Sequence, residues 1–306
     1  LLSLAFGSFG PLASKKGFAM NWRYLLSPLW LAGWRMARPL FPEKPGSLRI
    51  LIFHDVKEEH FPALERLFDH ISENQRFVTP DMVEESFENP GETWDGERVL
   101  VTFDDGFVSN LDVAKEILPI FGIRAVFFVC PGLINLDPPL QIKGVGKFIF
   151  RGKPPKPTPR LMSWAQLEEL ALMGHTLGAH SLTHRSLAKL SGAELEKEII
   201  ESGEKIKTTL ARPVTWFAWP FGDISTVSPE ALEIAERRYR FCRSGVRGLN
   251  HATSYPGHLF AGPVDLDAPF AYQRLALEGG LDLAHAKARL KLDAMAKSFG
   301  ETESEG

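Results

Sequence analysis

Cysteine is scarce in this chain. Cys130 and Cys242 are the only two in 306 residues, too few for a disulfide scaffold or a cysteine-built zinc site, and suited to a reducing compartment or to core filling. An excess of basic charge is also missing. Lys and Arg number 35 against 38 Asp and Glu, a net charge of −3, which excludes the basic footprint of a nucleic-acid binder. Beyond the first 46 residues no stretch is long and apolar enough to cross a membrane, and no repeat of solenoid period occurs. Apolar surface, by contrast, is abundant. The chain is 44% hydrophobic with 22 Phe and 7 Trp, far more than a disordered polymer leaves in water. Its length supports one large domain, alone or with an appendage, around a full-sized core.

The chain begins at Leu1, and its first methionine is Met20. The start is read either as lying upstream of Leu1 or as Met20. Leu1 to Ala13 is apolar with no basic stretch before it, a poor secretory leader as it stands. Across Asn21 to Phe41, residues Trp22, Leu26, Leu29, Trp30 and Gly33 follow helical spacing with Arg23, Arg35 and Arg38 among them. Pro28 and the arginines make a poor membrane span. The simpler expectation is a helix packed on the main domain; the alternative is an amphipathic helix lying on a bilayer surface. Low cysteine and the weak leader point to the cytoplasm, with membrane association through this helix as the second option.

Three regions follow: an N-terminal segment, residues 1–46, ending in the breaker-rich Pro42-Glu43-Lys44-Pro45-Gly46; a main domain, 47–280; and a C-terminal helix and tail, 281–306. In the main domain short apolar runs alternate with helical patterns. The runs are Arg49–Phe53, Arg98–Phe103, Ala125–Val129, His175–Ala179, Thr215–Trp219 and Arg240–Arg243, and amphipathic spacing separates them. Continuous apolar strands alternating with helices predict a parallel sheet covered by helices. Pro131 to Pro159 reads as a long looped insertion, a lid or wall over a cleft. Ser163 with Gln166 forms a capping signature.

Polar residues cluster where the predicted strands end, the place where barrels of this kind collect their chemistry. Asp104-Asp105 closes the second run; one carboxylate could take a proton while its neighbour binds a cation, although Asp-Asp-Gly is also a plain turn signal. His180-Ser181-Leu182-Thr183-His184 places two imidazoles at i, i+4, which on one helical turn share a face within reach of one ion. Two unrelated polar histidines would read the same way. With Asp105 the pair makes a two-imidazole, one-carboxylate set suited to zinc or another divalent first-row metal.

Thr102-Phe103-Asp104-Asp105-Gly106, His180-Ser181-x-x-His184 and Phe217-Ala218-Trp219-Pro220-Phe221-Gly222, in that order, resemble the polysaccharide deacetylase family (the NodB homology domain, carbohydrate esterase family 4). The third motif matches only in part. The early Ile52-Phe53-His54-Asp55 resembles the His-Asp signature of a subgroup that includes poly-N-acetylglucosamine deacetylases. The resemblance implies a distorted, incomplete parallel (β/α) barrel and a metal-dependent hydrolase that deacetylates N-acetylated oligo- or polysaccharides. It implies Asp104 as general base and Asp105, His180 and His184 as ligands of a divalent ion, zinc first, then cobalt, nickel or iron. A backbone N–H at Phe221 would serve the oxyanion, and Trp219 would offer a stacking surface for a sugar.

Two departures from the family pattern stand out. The arginine that orients the catalytic aspartate is absent from the third motif, and Arg274 is the expected substitute. No tryptophan follows Trp219, so the late Asp-Trp element that accompanies the family's acid histidine is absent. His54 is favoured as general acid over His285, whose surroundings read as a helix. Alternatives on the same fold are hydrolysis of another C–N bond or of an O-acetyl ester, or a glycan-binding module without catalysis.

Overall fold

Strand-forming sequence and helix-forming sequence alternate, and the molecule follows that alternation closely. The structure is a computed structural model that describes residues 22–41, 46–73, 76–91, 94–134 and 136–300, with side chains to Ala296. The apolar stretch Leu1 to Ala13, most of the breaker-rich linker and the end of the C-terminal tail lie outside the described residues. The strands are β1 (Ser47–Phe53), β2 (Glu97–Phe103), β3 (Val126–Val129), β4 (Thr176–Ala179), β5 (Trp216–Ala218), β6 (Phe241–Arg243), β7 (Asn250–His251) and β8 (Gly262–Pro263). The helices are α1 (Trp22–Leu25), α2 (Ser27–Ala37), α3 (Phe61–Ser72), α4 (Pro80–Glu88), α5 (Ser109–Glu116), α6 (Pro131–Ile134), α7 (Pro138–Phe148), α8 (Trp164–Leu172), α9 (Gly192–Leu210), α10 (Pro229–Arg238), α11 (Phe270–Leu277) and α12 (Ala286–Gly300).

The sheet order is β6-β5-β4-β3-β2-β1-β7, with β8 also paired to β1. All pairings are parallel except that of β7. The sheet curls into an incomplete barrel. Leu259 bridges Arg243 of β6, and Gly262–Pro263 pairs with Leu51 and Ile52 of β1, so one short run of chain meets both edges. This is the distorted, incomplete parallel (β/α) barrel expected from the sequence.

Side chains of a strand alternate between faces, and here both faces are apolar because both are covered. Leu51, Phe53, Val101, Phe103, Phe127, Val129, Phe217 and Cys242 meet the outer helices. Leu48, Ile50, Ile52, Leu100, Val126, Phe128, Trp216 and Phe241 fill the interior. Gly178 is what lets that interior close: a Cβ there would lie 2.5 Å from the Phe128 ring. Helix α4 covers the interior where β5 begins, its Glu84 accepting from Trp216 Nε1 at 2.7 Å. Its start is marked by Thr79, whose hydroxyl caps Met82 N–H, followed by Pro80.

The insertion departs from expectation. Pro131 and Pro138 do not hold it open as loop; they stand at the starts of α6 and α7, where a missing N–H costs nothing. Phe107, Cys130, Leu133, Val145, Ile149 and Leu161 form a small core beneath it. Gln141 binds it together by donating to Leu133 and Ile134 carbonyls and accepting from Leu161 N–H. Its later part, Arg151 to Arg160, is irregular. The capping box at Ser163 and Gln166 forms as expected. Among the described residues no helix is long and apolar enough to cross a membrane.

Candidate active site

Alternation along the strands decides which polar ends meet. His54, Asp104, His180 and Arg243 have the parity of the interior positions on β1, β2, β4 and β6, so all four project over the open end of the barrel. The ladder still holds their backbones: Asp104 N–H donates to Phe53 O at 2.8 Å and His180 N–H to Val129 O at 2.9 Å. Asp105 follows with φ 70° and Gly106 with φ 75°, a left-handed pair that turns the second carboxylate away from the first. A Cβ at Gly106 would also lie 2.9 Å from Val129 Cγ1.

The two imidazoles do not sit on a helical turn, as their spacing suggests. They converge through an irregular turn in which Ser181 (φ 57°) and His184 (φ 61°) are left-handed. Ser181 Oγ accepts from His184 N–H at 2.9 Å, and Glu198 of α9 accepts from Thr183 N–H at 2.9 Å. The turn is therefore fixed by side chains rather than by a helix ladder. With Phe221 at φ 64°, four strained non-glycine residues collect here, as is common where function over-determines the backbone.

Asp105, His180 and His184 each aim one ligand atom at a common point, all within 4.8 Å of one another and all buried. Asp105 Oδ1 lies 3.3 Å from His184 Nε2 and 3.7 Å from His180 Nε2. It is buried with no hydrogen-bond partner. His180 Nδ1 donates to Ala218 O at 2.8 Å, and His184 Nδ1 faces Phe148 O at 3.4 Å. A carbonyl at Nδ1 fixes the proton there and leaves the Nε2 lone pair pointing inward, the arrangement that metal-binding histidines use. Burial pushes the His180 pKa down to about 4 and lowers that of His184 further from its ordinary range. Burial and then the Asp104 charge push the Asp105 carboxyl well up. An unpartnered buried oxygen between two neutral imidazoles is what a cation would satisfy, so the residues present fit a divalent metal.

Asp104 has a different environment. Burial would raise its pKa, but the Arg243 guanidinium, then His180 and His54, outweigh burial and hold it below the usual carboxylate range. Arg243 is buried, donates through Nη2 to Asp104 Oδ1 and lies 4.7 Å over the Phe128 ring. Asp104 Oδ2 faces His180 Nε2 at 3.8 Å and His54 Nε2 at 3.9 Å. The His54 side chain is 53% exposed, so it stands where the cleft opens to solvent; the surrounding protein lowers its pKa against the pull of Asp104. Asp55 accepts from Ser109 Oγ at 2.7 Å, tying the β1 end to α5.

Two expectations need correction. Arg274 does not orient Asp104. It lies on α11 and pairs with Glu278 one turn on, at 2.9 Å. Arg243 makes that pairing instead, and its only sequence signal was its place at the end of a short apolar run. Trp219 offers no stacking surface, because at 1% exposure it is packed edge-on against Phe217 among the outer residues. Parity sends it outward while Ala218 faces in. His285, the alternative acid, has Arg247, Asp282, Arg289 and Asp223 as its electrostatic neighbours, and burial brings its pKa to about 4; it is His54 that stands beside Asp104. Phe221 does border the site. Its ring meets His184 at 4.4 Å and carries Arg151 of the insertion at 3.7 Å. Among the described residues no acceptor takes its backbone N–H.

Comparison with known proteins agrees with this geometry. Residues 91–239 match the family model for polysaccharide deacetylase. A curated Bacillus subtilis protein, YxkH, itself only provisionally named a polysaccharide deacetylase, is 22% identical over 204 residues, covering 64% of this chain and 63% of YxkH. Three solved structures share the fold. The Streptococcus pyogenes deacetylase PplD, in complex with acetate, has a TM-score of 0.60 at 18% identity, covering 76% of this chain and 98% of PplD. IcaB from Ammonifex degensii has a TM-score of 0.58 at 23% identity with the same coverage of 76% and 98%. The BpsB deacetylase domain from Bordetella bronchiseptica has a TM-score of 0.59 at 18% identity, covering 73% and 98%. With the ordered motifs on its strand ends and a family match over residues 91–239, the region that holds most of them, this part of the chain is similar to the polysaccharide deacetylases.

Proposed function

We propose that this protein is a metal-dependent hydrolase that removes the acetyl group from an N-acetylated sugar of an oligo- or polysaccharide. The observation that carries the reading is the unpartnered Asp105 Oδ1 facing two Nε2 lone pairs, with a separately charged Asp104 alongside. Asp105, His180 and His184 would hold the ion; two imidazoles and one carboxylate suit zinc first, then cobalt, nickel or iron. Such an ion supplies positive charge that acidifies a water and draws electrons from an acyl carbonyl.

The remaining work falls to the protein's own groups. Arg243 occupies Asp104 Oδ1, keeping the carboxylate ionised and leaving Oδ2 to accept the proton of the attacking water. The acyl carbon becomes tetrahedral, and the Phe221 N–H donates to its oxyanion. His54, whose Nε2 lies 3.9 Å from Asp104 Oδ2, receives that proton from Asp104 and passes it from Nε2 to the amide nitrogen. The C–N bond then breaks, leaving an amine on the sugar and releasing acetate.

Asp104→Asn is the direct test, with acetate release measured from N-acetylglucosamine oligomers by the zinc-loaded protein. Turnover should fall about 10²–10⁴-fold, the range of a lost general base, with bound metal and circular dichroism unchanged. Unaltered turnover would overturn the assignment. Release from an O-acetyl ester but from no amide would move the reaction to the ester class.

A further inference from the structure

Residues 22–41 present two apolar faces where a surface helix ordinarily has one. Tyr24, Leu31 and Trp34 turn inward against Ala268, Tyr272 and Leu275. Glu278 fastens that side, its carbonyl accepting from Trp34 Nε1 at 2.7 Å and its carboxylate from Arg35 at 2.7 and 2.8 Å. The opposite face carries Trp22, Leu25, Leu29, Met36 and Leu40 at helical spacing, while Phe41 stacks on Trp34. Leu29, Met36 and Leu40 are 73%, 84% and 78% exposed. Among the exposed positions of 22–41, Arg35 is the one charged residue, and it is paired with Glu278. A solvated helix face is normally polar, and a contiguous apolar patch of this kind marks a binding surface.

Charge selects the partner. The first 42 residues contain Lys15, Lys16, Arg23, Arg35 and Arg38 and no Asp or Glu, whereas the whole chain is at −3. This is a basic end on an acidic protein. A second copy docked through the same end would bring two such basic segments together. An anionic lipid surface offers both the opposite charge and an apolar layer for the leucines and Trp22.

We propose that the outer face of α1 and α2 docks on an anionic lipid bilayer, lying in its interface rather than crossing it. The inference is independent of the catalytic reading. It also orients the molecule. Tyr24 Oη donates to Asp265 Oδ2, and the adjacent Val264 N–H donates to Ile52 O, two residues before His54. The first turn of the docked segment is thereby tied to the rim of the catalytic cleft, which holds that rim near the bilayer.

The test is vesicle flotation of the full chain with phosphatidylcholine alone and with phosphatidylcholine–phosphatidylglycerol mixtures. The protein should float with the mixed vesicles, less with the neutral ones, and less again as salt is raised. The combined variant Leu29→Glu, Met36→Glu, Leu40→Glu changes only exposed side chains and should partition roughly a hundredfold or more weakly, given the apolar area withdrawn. Its circular dichroism and its acetate release from a soluble oligomer should stay unchanged. Failure of the parent chain to float with mixed vesicles, or equal flotation by the variant, would overturn the proposal. So would a dimer that the variant dissociates with no vesicle binding by either form, which would assign the face to a second copy.

Discussion

Two buried charge clusters in this protein are built on opposite plans. Near the starts of β1 and β2, Arg49 places Nε and Nη2 on the Glu97 carboxylate at 3.2 and 3.3 Å and Nη1 on Asp282 at 2.9 Å, while Arg76 also reaches Glu97. Burial there disfavours the Arg49 charge, but Glu97 and Asp282 outweigh it and raise its pKa. Each charge supports the next. At the other end of the sheet, beyond β2 and β4, Asp105, His180 and His184 are pushed toward their neutral forms, and an Asp105 oxygen has no partner. The first cluster sets arginine against carboxylate throughout, although Asp282 Oδ1 lacks a hydrogen-bond partner; the second holds a buried carboxylate with no arginine or lysine paired to it. Asp104 and Arg243 lie between the two plans, an ion pair at the edge of that second cluster whose Arg243 Nε has no hydrogen-bond partner.

The largest effect that sharpens this contrast comes from Asp105→Asn. Turnover should drop at least ~10³-fold with loss of bound metal by atomic absorption, since the metal's charge is worth several kcal/mol at the transition state. In chelator the variant should unfold no lower than the parent, because it removes a buried carboxyl that nothing offsets. Glu97→Gln should behave inversely: it leaves buried arginines short of a partner and costs about 3–5 kcal/mol in denaturant unfolding, with turnover per folded molecule unchanged. A marked loss of stability in metal-free Asp105→Asn would break the comparison.

Arg243→Met should lower turnover roughly 10²-fold, the low end for impaired general-base catalysis. Asp104 loses the group that holds its pKa down, so the acid limb of the pH–rate profile should move to higher pH, with partial recovery in Arg243→Lys. Arg274→Ala should leave that limb in place. The smallest effect concerns His175, a buried imidazole outside both clusters whose Nδ1 accepts from Ala125 N–H at 3.2 Å. Burial lowers its pKa to about 4. The unfolded state therefore binds the extra proton between the ordinary histidine pKa and about 4, and stability falls as pH falls through that window. The His175 share of that loss should be on the order of 2 kcal/mol between about pH 6.5 and 5, and urea titrations of His175→Gln should show a slope smaller by that share, with the contributions of His180, His184 and His285 remaining.

Legibility in the sequence followed the reach of each signal. The alternation of apolar runs and helical spacing was local, and six strands appear where those runs lie. The Asp-Asp and His-x-x-x-His motifs were also local, and their residues meet. Arg243 was not legible, because its meaning depends on β6 ending within reach of Asp104, 139 positions earlier. Trp219 was misread for a related reason: it follows a strand of three residues, too short for the alternation of faces to show in the letters. The helices of the insertion were missed because prolines at helix starts look the same in a sequence as prolines that break one.

Local chemistry, then, was decided by the order of residues alone: the barrel's strand–helix rhythm, the carboxylate pair, the two imidazoles and the apolar segment from Trp22 to Phe41. Such features depend on spacing along the chain, which a sequence records directly. Which arginine keeps Asp104 charged, which histidine stands beside it, and which face of the N-terminal helices remains uncovered were decided only in three dimensions. Those choices depend on where distant strand ends and helices come to rest against one another, and packing of the whole core sets that.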